Sequence, residues 1–193
     1  GKPVRVQWSR EDELAWDPKG PPQALELRGG VDANGRIVAW ETQMWLPANV
    51  PGTRLFLAAD AAGMEQPHGR GAGQITNNGD PPYAASNVRV LVHWLKDSPL
   101  RLSNLRAPGK IANAFAVESF TDELAAAAGI DSVDFRLRGL NDPRAIDVIK
   151  RAAEMIGWQA RPSPNPARAQ GRFLTGRGLA YVRYKQAENY VAI

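Results

Sequence analysis

Two hydrophobic rhythms divide this chain. In the first half, apolar and polar residues alternate. Val4, Val6 and Trp8 against Arg5, Gln7 and Ser9 predict a strand over Pro3 to Ser9 with one buried face. The charge run Arg10-Glu11-Asp12-Glu13 predicts a solvated turn or short helix, and Asp17 to Pro22 a loop. A second strand is expected from Ala24 to Val31. Asp32-Ala33-Asn34-Gly35-Arg36 then predicts a hairpin turn of the primed type, because Asn-Gly tolerates positive φ, with a return strand from Ile37 to about Leu46. Pro47 to Pro82 reads as loop-rich, with a short helix at Leu55 to Ala62 and a turn at Asn77 to Pro82. Asn87 to Leu95 predicts another strand, with Val88, Val90, Val92 and Trp94 on one face. Asp97-Ser98-Pro99 ends it, and Leu100 to Leu105 reads as a short extended segment.

In the second half the spacing changes to three and four. Val117, Phe120, Leu124 and Ala128 line one side of a helix over Ile111 to Ala128, with Glu118 and Asp122 on another face and Gly129 as the residue that ends it. Asp131 is placed to cap a second helix running toward Leu140. Asp142-Pro143 is a cap and first-turn pair for a third, reaching about Ile156 and closed by Gly157. Ile146, Ile149, Ala153 and Ile156 form its apolar stripe, and Asp147 and Arg151 are spaced to pair on its surface. Arg161 to Gln170 reads as an irregular linker. A strand over Gly178 to Tyr184 follows, continuing at Tyr190 to Ile193. The expected class is α+β: antiparallel strands packed against a helical second half. Its regions are 1–105 (mainly β), 106–160 (loop and helices) and 161–193 (linker and the start of a further strand region).

Composition narrows the chemistry. The 193 residues contain no cysteine, which excludes disulfides, a thiolate nucleophile, cysteine zinc sites and any iron–sulfur cluster held by this chain. The net charge of +4 is a mild cationic excess and a weak pointer to nucleic acid. No apolar run approaches the ~20 residues of a membrane span. His68 and His93, the two histidines, lack metal-ligand spacing. The glycines at 69, 71 and 73 resemble a phosphate loop only in part and read as a surface loop. Trp8, Trp40, Trp45 and Trp94 fall in predicted strands and read as core or subunit contacts. Between Met155 and Ala187 there are six cations (Arg161, Arg168, Arg172, Arg177, Arg183 and Lys185) and no acid. That run supports one alternative reading, a nonenzymatic basic module for nucleic acid or an acidic protein partner. A purely structural interface domain is another.

The one stretch that suggests a ligand is Leu105-Arg106-Ala107-Pro108-Gly109-Lys110. Pro108 pushes Ala107 toward an extended conformation, and Gly109 permits close approach or a positive φ. The helix that follows presents free N–H groups and the positive end of its dipole, which suit an anionic or oxygen-rich ligand. No complete catalytic constellation is present.

Three runs together carry a resemblance: Gly1 to Arg5 through Arg10 to Glu13; Leu105 to Gly109; and Ala116 to Ala125 followed by Asp134 to Arg138. They resemble the molybdopterin-binding large subunit of the molybdenum hydroxylases, the xanthine oxidase and aldehyde oxidase family. The branch that looks most similar is that of the isoquinoline 1-oxidoreductase beta subunit and membrane-bound aldehyde dehydrogenase-like proteins. The resemblance implies a molybdopterin-type molybdenum cofactor and a two-layer sandwich. It implies hydroxylation of an aldehyde or N-heterocycle with water-derived oxygen. Arg106, Ala107, Pro108 and Gly109 match the family's cofactor loop, with the Arg106 backbone beside the metal. Xanthine oxidases usually have Arg-Gly-Phe-Gly-Gly there, so Ala107 and Pro108 weigh against purine substrates. The family's Gly-Gly-x-Phe-Gly loop is expected before Gly1, and its base glutamate, in a Gly-x-Gly-Glu context, beyond Ile193. The chain is therefore expected to be an inactive piece of a longer enzyme, with no catalytic or metal-ligating residue of its own. The implied partners are a small 2Fe-2S subunit and a small-molecule substrate, with a cytochrome c admitted as electron acceptor and no nucleic acid. The implied location is periplasmic or membrane-associated, with the cytoplasm left open.

Overall fold

A computed structural model describes residues 1–17, 19–47, 62–64, 75–95, 102, 106–161, 163–164, 172–173, 176–184 and 188–192. Among them the elements are α1 (Arg10–Trp16), β1 (Ala24–Val31), β2 (Ile37–Pro47), β3 (Val88–Leu95), α2 (Lys110–Ala127), α3 (Ser132–Gly139), α4 (Pro143–Met155), β4 (Ala180–Tyr184) and β5 (Glu188–Ala192). The architecture is α+β. The expected helix at 55–62 and the glycine loop with His68 lie almost wholly outside the described residues.

Local chemistry fixes most boundaries. Ser9 starts α1 with a reciprocal cap: its Oγ accepts from Asp12 N at 3.2 Å, and Asp12 Oδ2 accepts from Ser9 N at 3.0 Å. The charge run is thus a short helix. Asp142 and Pro143 open α4, and Gly157 follows it at φ +59°. On α4, Arg151 pairs with Glu154 at 2.6 Å rather than with Asp147. The β1–β2 hairpin forms with the strands as expected, but its turn is not of the primed type. Asp32 Oδ1 accepts from both Asn34 N and Arg36 N at 2.9 Å, and of the two central residues only Gly35 takes positive φ, at +75°. The Asp32 carboxylate holds Asn34 in the ordinary turn conformation. The mismatch with strand twist is absorbed by a register irregularity at Gly30/Val31.

Two expectations fail. Pro3 to Ser9 is not a strand; Val4 and Val6 are 84% and 81% exposed. Alternation prepares a face for pairing but cannot supply the neighbouring strand. The sheet is also mixed rather than antiparallel throughout. β1–β2 and β4–β5 are antiparallel, whereas β2–β3 is parallel, from Trp40↔Val88 to Pro47↔Leu95. Residues 48–87 separate those two strands, long enough for the crossover that a parallel pair requires.

That register places Leu27 and Gly29 of β1, Trp40, Thr42 and Met44 of β2, and Val88, Val90 and Val92 of β3 on one face. α2 packs over the β1 side of that face, where Phe120 meets Trp40 edge-on at 5.0 Å. It does not reach β3, so Val88, Val90 and Trp94 remain exposed despite their alternation. Trp8 is exposed too, and of the four strand tryptophans only Trp40 is fully buried. The main core joins Trp40 and Ile37 to Val117 and Leu124 of α2, Phe135 of α3, Ile149 of α4 and Tyr181 of β4. A smaller cluster gathers Met44, Leu46 and Ile75.

Gly29 is the flat spot that lets α2 approach. A Cβ there meets Ala39 O at 2.7 Å and Phe120 Cε1 at 3.1 Å. Gly29→Ala is expected to destabilise the fold by about 1–3 kcal/mol, read as a lower denaturant midpoint with an unchanged slope. A midpoint equal to wild type would show that α2 is not seated on the sheet at this point.

Candidate functional site

The four residues singled out from the sequence form one corner at the start of α2. Arg106 is exposed, Ala107 and Pro108 are half-buried, and Gly109 is buried as the cap residue of the helix. The backbone differs from expectation. Gly109 has an ordinary φ of −105°, whereas Ala107 carries the left-handed conformation at φ +53°. The proline did not hold Ala107 extended, because the corner is fixed from both sides. Gln23 Nε2 donates to Pro108 O at 3.2 Å, and Asn113 N donates to Gly109 O at 3.0 Å. A left-handed alanine costs roughly 1–2 kcal/mol and persists only where its surroundings over-determine it.

Around this corner several polar groups are unsatisfied. α2 has no side-chain cap and no acid in its first turn, so its opening N–H groups are left for another partner. Gln23 Oε1 is buried without a hydrogen-bond donor. Asn113, fully buried in the first turn, donates to Ile75 O at 2.9 Å and Asn77 O at 2.8 Å, while its Oδ1 has no donor. Lys110 is 8% exposed, and its Nζ lies 5.0 Å from the centre of the Tyr184 ring. Gln23 and Asn113 lie far from Arg106 in sequence or on the helix interior, and reading motifs did not find them.

Sequence reasoning also missed a buried ion pair that holds α2 in place. Glu118 was expected on a face other than the apolar stripe, yet it is 4% exposed and Arg136 is 0% exposed. Arg136 Nε donates to Glu118 Oε2 at 2.9 Å, Nη1 to Asp122 Oδ1 at 2.6 Å and Nη2 to Glu118 O at 3.1 Å. Glu118 also accepts from Tyr83 OH at 2.8 Å and from Tyr181 N at 2.8 Å. Burial pushes the Glu118 carboxyl above its usual range against the opposing pull of Arg136. Burial also works against the Arg136 charge, but the oxygens of Tyr83, Glu118 and Asp122 outweigh it and raise its pKa. Both residues lie in the runs that carried the family resemblance, so the signal was present without its structural meaning.

Comparison with known proteins decides the family. Residues 1–140 match the model of the molybdopterin cofactor-binding domain. The chain belongs to this family. It is 41% identical over 188 residues to a nicotinate dehydrogenase polypeptide of Pseudomonas putida, covering 95% of this chain and 15% of that protein. It is 32% identical over 193 residues to the beta subunit of isoquinoline 1-oxidoreductase from Brevundimonas diminuta, covering 97% and 22%. Among solved structures, the aldehyde oxidoreductase from Desulfovibrio gigas matches with a TM-score of 0.58 at 17% identity, over 77% of this chain and 16% of that one, which is a likeness of fold. The chain thus spans between a seventh and a quarter of the length of these relatives.

The remaining candidates add no site to this molybdopterin cofactor-binding domain. Arg177 Nη1 donates to Ile156 O and Gly157 O at 3.0 Å, closing the C-terminal end of α4. Arg161 N donates to Asp131, the cap of α3. Within the 161–185 run the Arg177 guanidinium therefore has a structural role and Arg161 contributes its backbone amide, while Arg168 and Lys185 lie outside the described residues. His93 is half-buried, stacked on Trp45 at 4.8 Å and bonded to Gln43 at 3.1 Å. No cluster of three or more metal-type ligands occurs among the described residues, and no described helix is long and apolar enough to cross a membrane. A hollow of about 260 Å³ beside Tyr83 and Tyr181, and one of about 230 Å³ beside Trp158 and Arg177, do not border the Arg106 corner.

Two outcomes follow from the buried pair. Arg136→Met strands Glu118 without compensation and is expected to cost about 3–5 kcal/mol. Adding Glu118→Met should recover only part of that, because Tyr83 OH and Tyr181 N–H still lack their acceptor; denaturant melts of both variants measure it. Burial, reinforced by the nearby Glu118, holds the Tyr83 hydroxyl well above its ordinary pKa of 10.0. The folded state therefore keeps a proton that the unfolded state loses above pH 10. Stability contributed below that pH should decline as pH rises past it, and absorbance at 295 nm should show Tyr83 titrating only on unfolding.

Proposed function

We propose that this chain forms part of the cofactor-binding wall in the large subunit of a molybdenum hydroxylase, with Arg106, Ala107, Pro108 and Gly109 as the residues lying against the cofactor. The observation that carries this is the strained Ala107 corner leading into an uncapped helix within a chain of the molybdopterin cofactor-binding domain family. The group fits the residues present. A molybdopterin-type cofactor has both ring N–H donors and oxygen acceptors. The donorless Gln23 Oε1 and the free N–H groups of α2 complement each of these. When bound, the cofactor supplies the two-electron redox chemistry that introduces water-derived oxygen into the substrate.

The residues of this chain position and polarise. The Arg106–Gly109 main chain shapes the wall, α2 directs its positive end toward oxygen atoms there, and the Glu118–Arg136 pair keeps α2 from shifting. The general base is expected from a glutamate outside this stretch, so the 193 residues alone are not expected to turn over substrate. The proposed substrate class is an aldehyde or N-heterocycle. The names of the nicotinate and isoquinoline relatives favour the heterocycle, and the absence of an aromatic residue at 107–108 weighs against purines. A separate 2Fe-2S subunit as immediate electron acceptor, a cytochrome c beyond it, and a periplasmic or membrane-associated location belong to the same proposal.

The test is to express the full product of the gene in a host that makes the cofactor. Molybdenum is then measured by mass spectrometry and released pterin by fluorescence. Both should copurify with the wild-type protein. Ala107→Val, which places a branched side chain at a positive φ, should lower both by about tenfold. A wild-type protein free of molybdenum and pterin would overturn the proposal.

A further inference from the structure

Lys110 is a buried cation that nothing described so far employs. The residue is 8% exposed, so most of its length is removed from water. Among the described residues no carboxylate and no hydrogen-bond acceptor meets its ammonium; the contact it has is the face of Tyr184, 5.0 Å away. An aromatic face offsets only part of the cost of desolvating an ammonium group. Buried charges are ordinarily paired, and the acids nearest in sequence are already engaged: Glu118 and Asp122 both hold Arg136.

The surroundings say what the missing partner is. Lys110 is the first residue of an 18-residue helix with no side-chain cap and no acid in its first turn. The helix dipole and the ammonium group therefore add, both favouring negative charge, with no anion among the described residues to answer them. The opposite wall is fixed. Asn113 ties the first turn to Ile75 O and Asn77 O, and Asn78 Nδ2 donates to Arg183 O at 3.1 Å, next to Tyr184. Lys110 therefore reaches between α2 and the end of β4, with both sides held by hydrogen bonds.

We infer that Lys110, with the first turn of α2, is an oxyanion-binding site for a phosphate or carboxylate group of a ligand that lies against the Arg106 corner. The inference rests on the proposed function only for which ligand bears that group. A phosphate of the cofactor and a carboxylate of the substrate share the required chemistry, and the test separates them.

The first measurement uses the full gene product made without molybdenum, with inorganic phosphate as probe. Phosphate should raise the thermal midpoint above that in chloride at equal ionic strength. Lys110→Met should abolish this response while raising the midpoint in chloride, because it removes an unpaired buried charge. A lower midpoint in chloride with the phosphate response intact would overturn the inference and leave Lys110 as a packing partner of Tyr184. If that variant does not fold, the lysine ammonium resonances of the wild type serve instead: one should shift on phosphate titration, and none shifting would overturn it. In the loaded enzyme, Lys110→Met should lower molybdenum and pterin content about tenfold if the group is the cofactor's phosphate. If the group is the substrate's carboxylate, cofactor content should hold while KM for a carboxylated heterocycle rises relative to its uncharged analogue. If neither changes, phosphate is an adventitious ion only and the inference falls. A wild-type protein that responds to phosphate yet contains no molybdenum would refute the proposed function and leave this site standing.

Discussion

A guanidinium with no solvent exposure joins three parts of this chain that are distant in sequence. Arg136 on α3 reaches Glu118 and Asp122 on α2, and Glu118 in turn holds Tyr83 and the backbone of Tyr181 on β4. Desolvating such a pair is costly, and the cost is offset only when nearly every donor and acceptor is matched. Here the carboxylate receives three donors and the guanidinium engages five acceptors, so the geometry tolerates little change. The placement of α2 depends on this match more than on its apolar stripe. Hydrophobic burial is non-directional and would accept a rotation that the ion pair forbids.

The start of α2 inherits that rigidity. Its last turns are anchored by the pair and the core around Leu124, while its first turn is tied to the 75–78 turn through Asn113. With the helix fixed at both ends, the incoming chain must turn sharply, and Ala107 takes the strained conformation. The strain, the uncapped N–H groups and the unpaired Lys110 thus share one origin. The fold imposes a helix start at a point where the local sequence offers neither a glycine for the corner nor an acid for the cap.

Much of the secondary structure was legible because its signals are short-range. Asp131 and Asp142 cap their helices through atoms a few residues away, and Gly129 and Gly157 end theirs at positive φ, whereas Ser9, expected in a strand, turned out to cap α1. The hairpin at Asp32 to Arg36 was legible for the same reason. Only its turn type was missed, because a side-chain bond from Asp32 overrode the preference of Asn-Gly. The Arg106–Gly109 stretch could be singled out as a run of residues. Gln23, more than eighty positions away, could not, since nothing local says that its amide meets Pro108.

The α+β character, most of the elements, the Asp131 and Asp142 caps and the family could be read from the amino acids alone. Each of these is written in spacing, in capping chemistry or in runs of adjacent residues. Four features needed the folded chain: β3 lies parallel to β2, the Pro3–Ser9 segment pairs with no strand among the described residues, Glu118 is buried, and Ala107 rather than Gly109 is left-handed. The physical reason is common to all four. A strand's partner, a charge's counter-ion and a corner's constraint are supplied by residues far along the chain, and local pattern carries no information about what will arrive there.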